Sequence, residues 1–390
     1  VKIVLISDKP HLEYHAALYR VVTARSPLEV CIPLREIFQG TPVEIVADAV
    51  TEADLARQTL TGASGSRYGF DFLVLALGAE TTYFNIPGLK ERSFGFRTIT
   101  EALRLKRHLH EVFAECESGT ADEKVCAAHI VIVGGGASGV ELAGELAVYA
   151  RTLAKKHNLD SSLATVNLIE AAPRLLPTLP ENLTARATDR LRHLGVNIFL
   201  NRVIVKEDAE EVFLRDMQIR TKTVGWTAGV VPNALIKNIA GLAFDRKGRI
   251  AVDAYLRPNG FPQVFIAGDA AATPYSGMAQ TAIRDGRHIA RNIIRMLRGA
   301  EPVPYVPQRP KYAIPVGPGW AAVLMGNIRA YGRLGWWLRR AADLRYFLSI
   351  LPFLKALRAF QSGRTLCESC AICLPEEKDS APAARIQTRM

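Results

Sequence analysis

Apolar and polar positions along this chain recur with two different periods, and the changes of period divide it into units. Residues 1–8 form a β-branched apolar run closed by Ser7 and Asp8, which predicts a strand. Residues 43–47 make a second candidate strand, and 70–76, closed by Gly78, read as a buried one. Residues 99–115 switch to helical spacing. A fresh unit opens at 129–133, an apolar strand followed by glycines and a long helix over 138–156. Further strands are expected at 166–170, 197–205, 211–214 and 223–226, with a helix over 185–194. Residues 264–267 are another buried strand, and 277–297 another helix. Strands alternating with helices of this length predict an α/β protein whose parallel sheet is covered on both faces. From Pro302 the chain becomes rich in Pro, Arg and aromatic residues.

Composition narrows this reading only slightly. With 390 residues, two to three domains are the natural expectation. A net charge of +11 admits an anionic partner, either a membrane or a nucleic acid. No base-stacking platform or nucleic-acid motif accompanies the charge, so nucleic acid is not expected as a partner. Cys31, Cys116 and Cys126 are scattered, and Cys367, Cys370 and Cys373 cluster in the tail. This is no secreted disulfide framework, and a reducing compartment follows. The tail trio lacks a fourth ligand and a nearby His, so no metal site is expected. The first residues read as a strand, without the charged start and cleavage site of a signal peptide.

The strongest local chemistry follows the 129–133 strand. Gly134-Gly135-Gly136-Ala137-Ser138-Gly139 stands between a strand and a long helix, the context that a dinucleotide-binding loop needs. Gly134 would permit the tight turn, Gly136 would let backbone amides approach a pyrophosphate, and Gly139 would let helix and strand pack closely. The helix N-terminus adds unsatisfied N–H groups and partial positive charge. Glu170 ends the next strand, where a carboxylate accepts ribose hydroxyls and repels a 2′-phosphate, favouring NADH over NADPH. Arg174, close by, could reverse that preference. Without a ligand, the segment would be a mere glycine-rich turn.

A second dinucleotide site is fainter. Asp8 also ends a strand, but no glycine loop precedes it. Asp269, after Gly268 and the 264–267 strand, suits a hydrogen bond to the ribityl chain of FAD, or else simply caps the next segment. Ala279 and Gln280 begin a helix whose N-terminus could face a flavin ring.

Asp8, Leu75-Ala-Leu-Gly-Ala79, the 134–145 segment, Trp226-Thr-Ala-Gly-Val230 and Phe265-Ile-Ala-Gly-Asp269 stand in the order of the two-dinucleotide-binding flavoproteins. Among these the chain most resembles the type II NADH dehydrogenases, single-subunit NADH:quinone oxidoreductases. His11-Leu-Glu-Tyr14, Leu18-Tyr-Arg-Val21, Gly139-Val-Glu-Leu-Ala-Gly-Glu145 and Gly277-Met-Ala-Gln-Thr-Ala282 carry the extra likeness, which covers roughly residues 1–300. The resemblance implies two Rossmann-type domains, the FAD domain interrupted by the NAD domain, and a C-terminal helical, membrane-associated region. The boundaries expected are 1–98 and 230–301 for FAD, 99–229 for NAD(H), and 302–390 for the basic amphipathic region and tail.

By the same resemblance Asp8 holds the FAD ribose, backbone at Ala49 and Val50 the adenine, Gly78 the pyrophosphate, and Asp269 the ribityl chain. Gln280 would lie by the isoalloxazine, Glu141 near the nicotinamide–flavin contact, and Gly229 beside the nicotinamide. Glu141 and Gln280 are the catalytic candidates. Glu141 and Glu145 share a helical face, and their plain reading is a solvated pair near a helix start. The family's Ala-Gln-x-Ala-x-Gln becomes Ala279-Gln-Thr-Ala-Ile-Arg284, a cation where an amide is usual. The family's first FAD-domain strand and glycine loop are missing before Val1, and an N-terminally truncated form is the expectation.

The expected function is transfer of a hydride from NADH to FAD and of two electrons to a respiratory quinone. A reductase of a ferredoxin- or rubredoxin-type carrier, a sulfide:quinone reductase and an NAD(H)-binding sensor are the competing readings. Sulfide chemistry would need Cys126 paired with a tail cysteine. Arg329 to Phe360 carries seven Arg or Lys and one Asp among Leu334, Trp336, Trp337, Tyr346, Phe347, Phe353 and Leu354. Its apolar run is far below the ~20 residues that span a bilayer. It suits a helix pair lying on an anionic membrane, peripheral at the cytoplasmic face of the inner or plasma membrane. The bland alternative is a hairpin packed on the enzyme or on a homodimer partner.

Overall fold

The computed structural model describes residues 1–116, 120 and 128–366, so Cys126, Cys367, Cys370 and Cys373 lie outside the described residues. The chain forms two compact units. One comprises Val1–Lys9, Gly40–Thr82 and Val230–Lys311, and the other Pro10–Gln39, Tyr83–Gly229 and Tyr312–Met390.

The second unit is built on a five-stranded, all-parallel sheet. Its order is Phe94–Gly95, Thr223–Trp226, His129–Val133, Thr165–Glu170, Val196–Leu200. Ile130 and Ile132 point into one apolar cluster, Val131 and Val133 into another, and all four are buried. Burial on both faces is why this strand reads as an unbroken apolar run. Helices Ile99–Glu115, Ala137–Lys156 and Glu181–His193 supply the first cluster. The other face is covered by an antiparallel meander, Ile204–Glu207, Glu211–Leu214 and Gln218–Arg220, through Ile204, Val212, Leu214 and Ile219. The single strand expected over 197–205 is therefore two. Asn201, at φ 54°, bends the chain out of the parallel sheet and into the meander.

Thr98 begins the Ile99–Glu115 helix with a capping box, its hydroxyl on the Glu101 N–H and the Glu101 carboxylate on the Thr98 N–H. After residue 312 come an antiparallel sheet (Tyr312–Pro315, Ala321–Met325, Ile328–Ala330) and helices Gly332–Ile350 and Phe353–Ser362. Phe347 and Ala356 of those helices, and Leu351 between them, join the cluster holding Leu18, Val21 and Val22. No described helix is long and apolar enough to cross a membrane.

In the first unit, Ile3–Ser7 pairs in parallel with Val43–Ala47, and Leu73–Leu75 with Val264–Ile266. Among the described residues no ladder joins the two pairs. Val264 and Ile266 face one core, Phe265 and Ala267 another, which Ile289 of the Ala279–Leu297 helix completes. An antiparallel meander, Val50–Asp54, Thr59–Gly62 and Arg67–Gly69, flanks this arrangement.

Candidate functional site

In the second unit the glycine loop has the geometry that its sequence predicts. Gly134 has φ 111°, and a Cβ there would fall 2.7 Å from Thr227 Oγ1 and 2.9 Å from Ala228 Cα. A Cβ on Gly139 would sit 1.8 Å from the Gly134 carbonyl oxygen. In front of Gly136 a Cβ would meet nothing within 4 Å, which leaves its backbone open to a ligand. The Thr227 hydroxyl donates to the Val133 carbonyl (2.8 Å) and the Gly134 carbonyl (3.2 Å), tying the loop to the neighbouring strand end. Gly229, two residues on, is buried.

Glu170 ends its strand half-buried, next to the loop. Its Oε2 accepts the Gly135 N–H and its Oε1 the Ala172 N–H at 2.7 Å. A carboxylate has about four lone-pair sites, so two remain for diol hydroxyls. Arg174 is committed elsewhere: its guanidinium donates to the Leu179 and Pro177 carbonyls and to the Thr184 hydroxyl. The loop roles of Thr227 and Gly135 went unread in the sequence. The Trp226-Thr-Ala-Gly-Val230 motif held the first signal, and the middle glycine of a triplet held the second.

Glu141 and Glu145 lie on the Ala137–Lys156 helix, each half-buried. Burial pushes Glu141 up to about 8 and Glu145 up to about 7. Arg339 and Arg20 pull Glu141 partly back, and Glu145 pushes it further up. The pair is thus no solvated dipole-compensating couple, since desolvation dominates.

Those arginines belong to a buried ionic cluster. Arg20 and Arg340 each donate to Glu29 at 2.6 Å, and each also reaches Asp343 at 3.3 Å. Asp343, fully buried, further accepts from Arg339 and from the Tyr14 hydroxyl at 2.6 Å. Arg339 also donates to the Ala16 carbonyl, and Arg340 to the Phe360 carbonyl. Two of the tail's seven cations are therefore interior groups. Their spacing of three and four from Asp343 was the available signal.

In the first unit Asp8 is exposed at the end of Ile3–Ser7, and Val50 is half-buried at the start of its strand. Asp48 organises the turn between Ala47 and Val50. It accepts from the N–H groups of Ala49 and Ser64 and from the Ser64 (2.6 Å) and Tyr68 (2.7 Å) hydroxyls. Those bonds, the hydroxyls foremost, pull its carboxyl down to about 2. Gly62 is small because a Cβ there would fall 1.8 Å from Asp48 Oδ2. Gly78 (φ 67°) faces open space, and Gly268 (φ 70°) packs over Ala282. Asp269 is half-buried in the Gly268–Ala270 turn, and Ala279 is the exposed first residue of its helix. Gln280 has its side-chain amide paired to the Lys311 backbone, donating at 2.6 Å and accepting at 3.0 Å. Arg284 donates to the Gln308 carbonyl.

A family model of pyridine nucleotide-disulphide oxidoreductases matches residues 1–286. The type II NADH:quinone oxidoreductase Ndh of Mycobacterium tuberculosis is 32% identical over 319 residues, 77% of this chain and 69% of that protein. The type II NADH:quinone oxidoreductase of Staphylococcus aureus is 31% identical over 284 residues, 70% of this chain and 69% of that protein. Among solved structures, NDH2 of Plasmodium falciparum in complex with NADH superposes with a TM-score of 0.84 at 15% identity, over 93% of this chain and 92% of that one. The sulfide:quinone oxidoreductase of Aquifex aeolicus gives 0.76 at 17% identity, over 92% and 86%. The glycine loop with its carboxylate, the paired dinucleotide motifs and these matches lead to one statement: the chain belongs to the pyridine nucleotide-disulphide oxidoreductase family, on its type II NADH:quinone oxidoreductase branch.

Proposed function

We propose that this chain is an FAD-dependent enzyme that oxidises NADH and reduces a quinone. The observation that carries this is the Gly134 loop joined to the Glu170 carboxylate, in a chain whose relatives bear the name NADH:quinone oxidoreductase. Glu170 favours NADH, because its free lone pairs suit ribose hydroxyls and its charge opposes a 2′-phosphate. The engagement of Arg174 with its own loop supports the same preference. Gly134, Gly136 and Gly139 would bind the pyrophosphate of NADH, and Gly229 would border its nicotinamide.

The first unit's residues fit FAD. Gly78 and Gly268 are left-handed glycines, with open space before Gly78, Asp48 holds the corner at Ala49 and Val50, and Asp8 and Asp269 supply acceptors for hydroxyls. The two ladders that do not meet support a sheet completed by one further parallel strand. When bound, FAD supplies two-electron carriage between NADH and the quinone. The net reaction takes one hydride from NADH and one proton from solvent to make quinol. Glu141 is the catalytic carboxyl, holding its proton more tightly than an ordinary carboxyl because burial pushes it up to about 8. Gln280, pinned through Lys311, positions the start of the Ala279–Leu297 helix.

The enzyme lies on an anionic membrane at the cytoplasmic face of the inner or plasma membrane. Leu334, Trp337, Phe353 and Leu354 are 63%, 59%, 67% and 69% exposed, and Arg333, Arg345 and Arg358 are exposed beside them. A visible spectrum and an acceptor panel test the whole reading. Yellow protein that oxidises NADH with a ubiquinone or menaquinone analogue is expected. Colourless protein that takes up no added FAD, or activity with carrier proteins alone, overturns it.

A further inference from the structure

The Ala279–Leu297 helix carries its cations on one side. Arg284, Arg287, Arg291, Arg295 and Arg298, the last just past the helix end, recur at intervals of three and four and so form one row. At 1.5 Å per residue the row is about 21 Å long. Asp285, Ile289 and Asn292 point the opposite way and are buried. A core side and a polar side are the ordinary plan of a surface helix. The scarcity of acids is not. Between residues 279 and 311 stand seven Arg or Lys and two acids. One acid, Asp285, is turned to the Gly268 N–H at 3.0 Å on the buried side. The other, Glu301, meets Arg295 through its backbone carbonyl at 2.7 Å.

The 302–311 segment runs back along this helix. Asn292 holds the Val303 backbone at 2.9 and 3.0 Å, Arg284 donates to the Gln308 carbonyl at 3.0 Å, and Gln280 holds the Lys311 backbone. Arg284 and Arg295 are thus engaged with backbone. Arg287, Arg291 and Arg298 are exposed, and none forms a hydrogen bond or ion pair with a described residue. Exposed aliphatic side chains border them: Ile294 and Leu297 on the helix, Val303 and Val306 on the segment. Like charges one turn apart destabilise a helix, so this row gains only when an anionic partner meets it. Guanidinium groups are weakly hydrated and match phosphate oxygens two at a time. A cluster of arginines on an amphipathic helix attracts anionic lipid, and aliphatic side chains beside it sink into the headgroup boundary. A nucleic acid would leave the aliphatic margin in water. The centre of a protein interface is rich in aromatic side chains, and this face exposes none.

We propose that Arg287, Arg291 and Arg298, with Ile294, Leu297, Val303 and Val306 beside them, form a second membrane-docking surface that takes anionic phospholipid headgroups. It lies in the first unit, apart from the helices after residue 332, and rests on the reading that the enzyme works on an anionic membrane. The test is sedimentation of the full chain with vesicles of phosphatidylcholine alone and of phosphatidylcholine with phosphatidylglycerol. At low salt, Arg287→Gln/Arg291→Gln/Arg298→Gln should bind the phosphatidylglycerol vesicles roughly a hundredfold more weakly than wild type, at about fivefold per arginine. The difference should shrink in 1 M salt, where the Debye length is about 3 Å. Binding to phosphatidylcholine alone should not differ. Circular dichroism and NADH binding report whether the variant is folded, and if it is not, Arg291→Gln, with about a fivefold loss, decides. A triple variant that binds phosphatidylglycerol vesicles like wild type overturns the proposal, and if that variant has lost binding to polyglutamate the row faces an acidic protein instead. An equal loss on phosphatidylcholine alone overturns it, because charge is then not the attraction. Displacement of wild type by inorganic phosphate beyond that by chloride of equal ionic strength assigns the row to free phosphate and overturns it too. A wild-type chain that binds neither vesicle removes the membrane reading and this one with it. Binding lost through Leu334→Ser/Trp337→Ser but not through the arginines removes this one alone.

Discussion

Removing Asp343 tests the physical account of the second unit most severely. Asp343 is fully buried and serves four donors: Tyr14, Arg20, Arg339 and Arg340. Asp343→Ala leaves Arg20 and Arg340 with Glu29 as their remaining carboxylate partner in the cluster, and Arg339 with the Ala16 carbonyl. Breaking a buried pair by deleting one member costs about 3–5 kcal/mol, because the stranded charge keeps its desolvation penalty. The lost Tyr14 bond adds about 1 kcal/mol. A loss of about 4–6 kcal/mol is a large share of any domain's stability.

All four tryptophans (Trp226, Trp320, Trp336 and Trp337) fall in this unit, so urea unfolding followed by tryptophan fluorescence reads it selectively. The midpoint should fall steeply with little change in slope. Because the cluster is buried, 1 M salt should change the difference little, a concentration at which the Debye length is about 3 Å. A loss below about 1 kcal/mol, the value of an exposed pair, would refute the reasoning. So would a difference that disappears in salt. Either result would mean that water reaches the cluster.

Gly139→Ala puts a methyl group 1.8 Å from the Gly134 carbonyl, so the loop must move. NADH affinity by fluorescence titration should drop by more than about tenfold, consistent with a 1.4 kcal/mol loss or greater. Glu207 is buried, its Oε2 lacks a partner, and burial pushes it up to about 8. The folded state holds that proton more tightly than the unfolded chain does. Native stability from this site is therefore present below about pH 4.5 and is lost as pH rises towards about 8. Glu207→Gln should be more stable than wild type by about 3–4 kcal/mol at pH 8 and nearly equal at pH 4, read by denaturation at both. Leu334 and Trp337 are exposed on the Gly332–Ile350 helix. Replacing both with Ser should weaken sedimentation with anionic vesicles and leave NADH binding unchanged, and unaltered sedimentation would count against the membrane face.

What could be read without the structure was whatever depends on near neighbours in the chain. The 129–133 strand, the glycine loop, the long helix and Glu170 at the next strand end form one local unit. Its requirements, an apolar run buried on both sides and no Cβ at Gly134 and Gly139, are visible in the residues themselves. The break at Asn201 was not legible, since a positive φ at an Asn leaves only a weak trace among polar residues. Nor was the meander on the sheet's second face, whose strands are too short to be told from loops.

The charges were the larger gap. Net charge and spacing treat Arg20, Arg339 and Arg340 as surface cations, because composition carries no depth. Folding brings residues 10–39 and the helices after residue 332 into one core, and there Glu29 and Asp343 turn those arginines into buried partners. The same holds for Glu141, Glu145 and Glu207. Their identity is local, but their protonation is set by how much water and which charges remain around them. The sequence by itself determined which residues could bind a dinucleotide, and only tertiary packing decided which carboxyl groups hold their protons more tightly than usual, because desolvation depends on everything folded around a group rather than on its place in the chain.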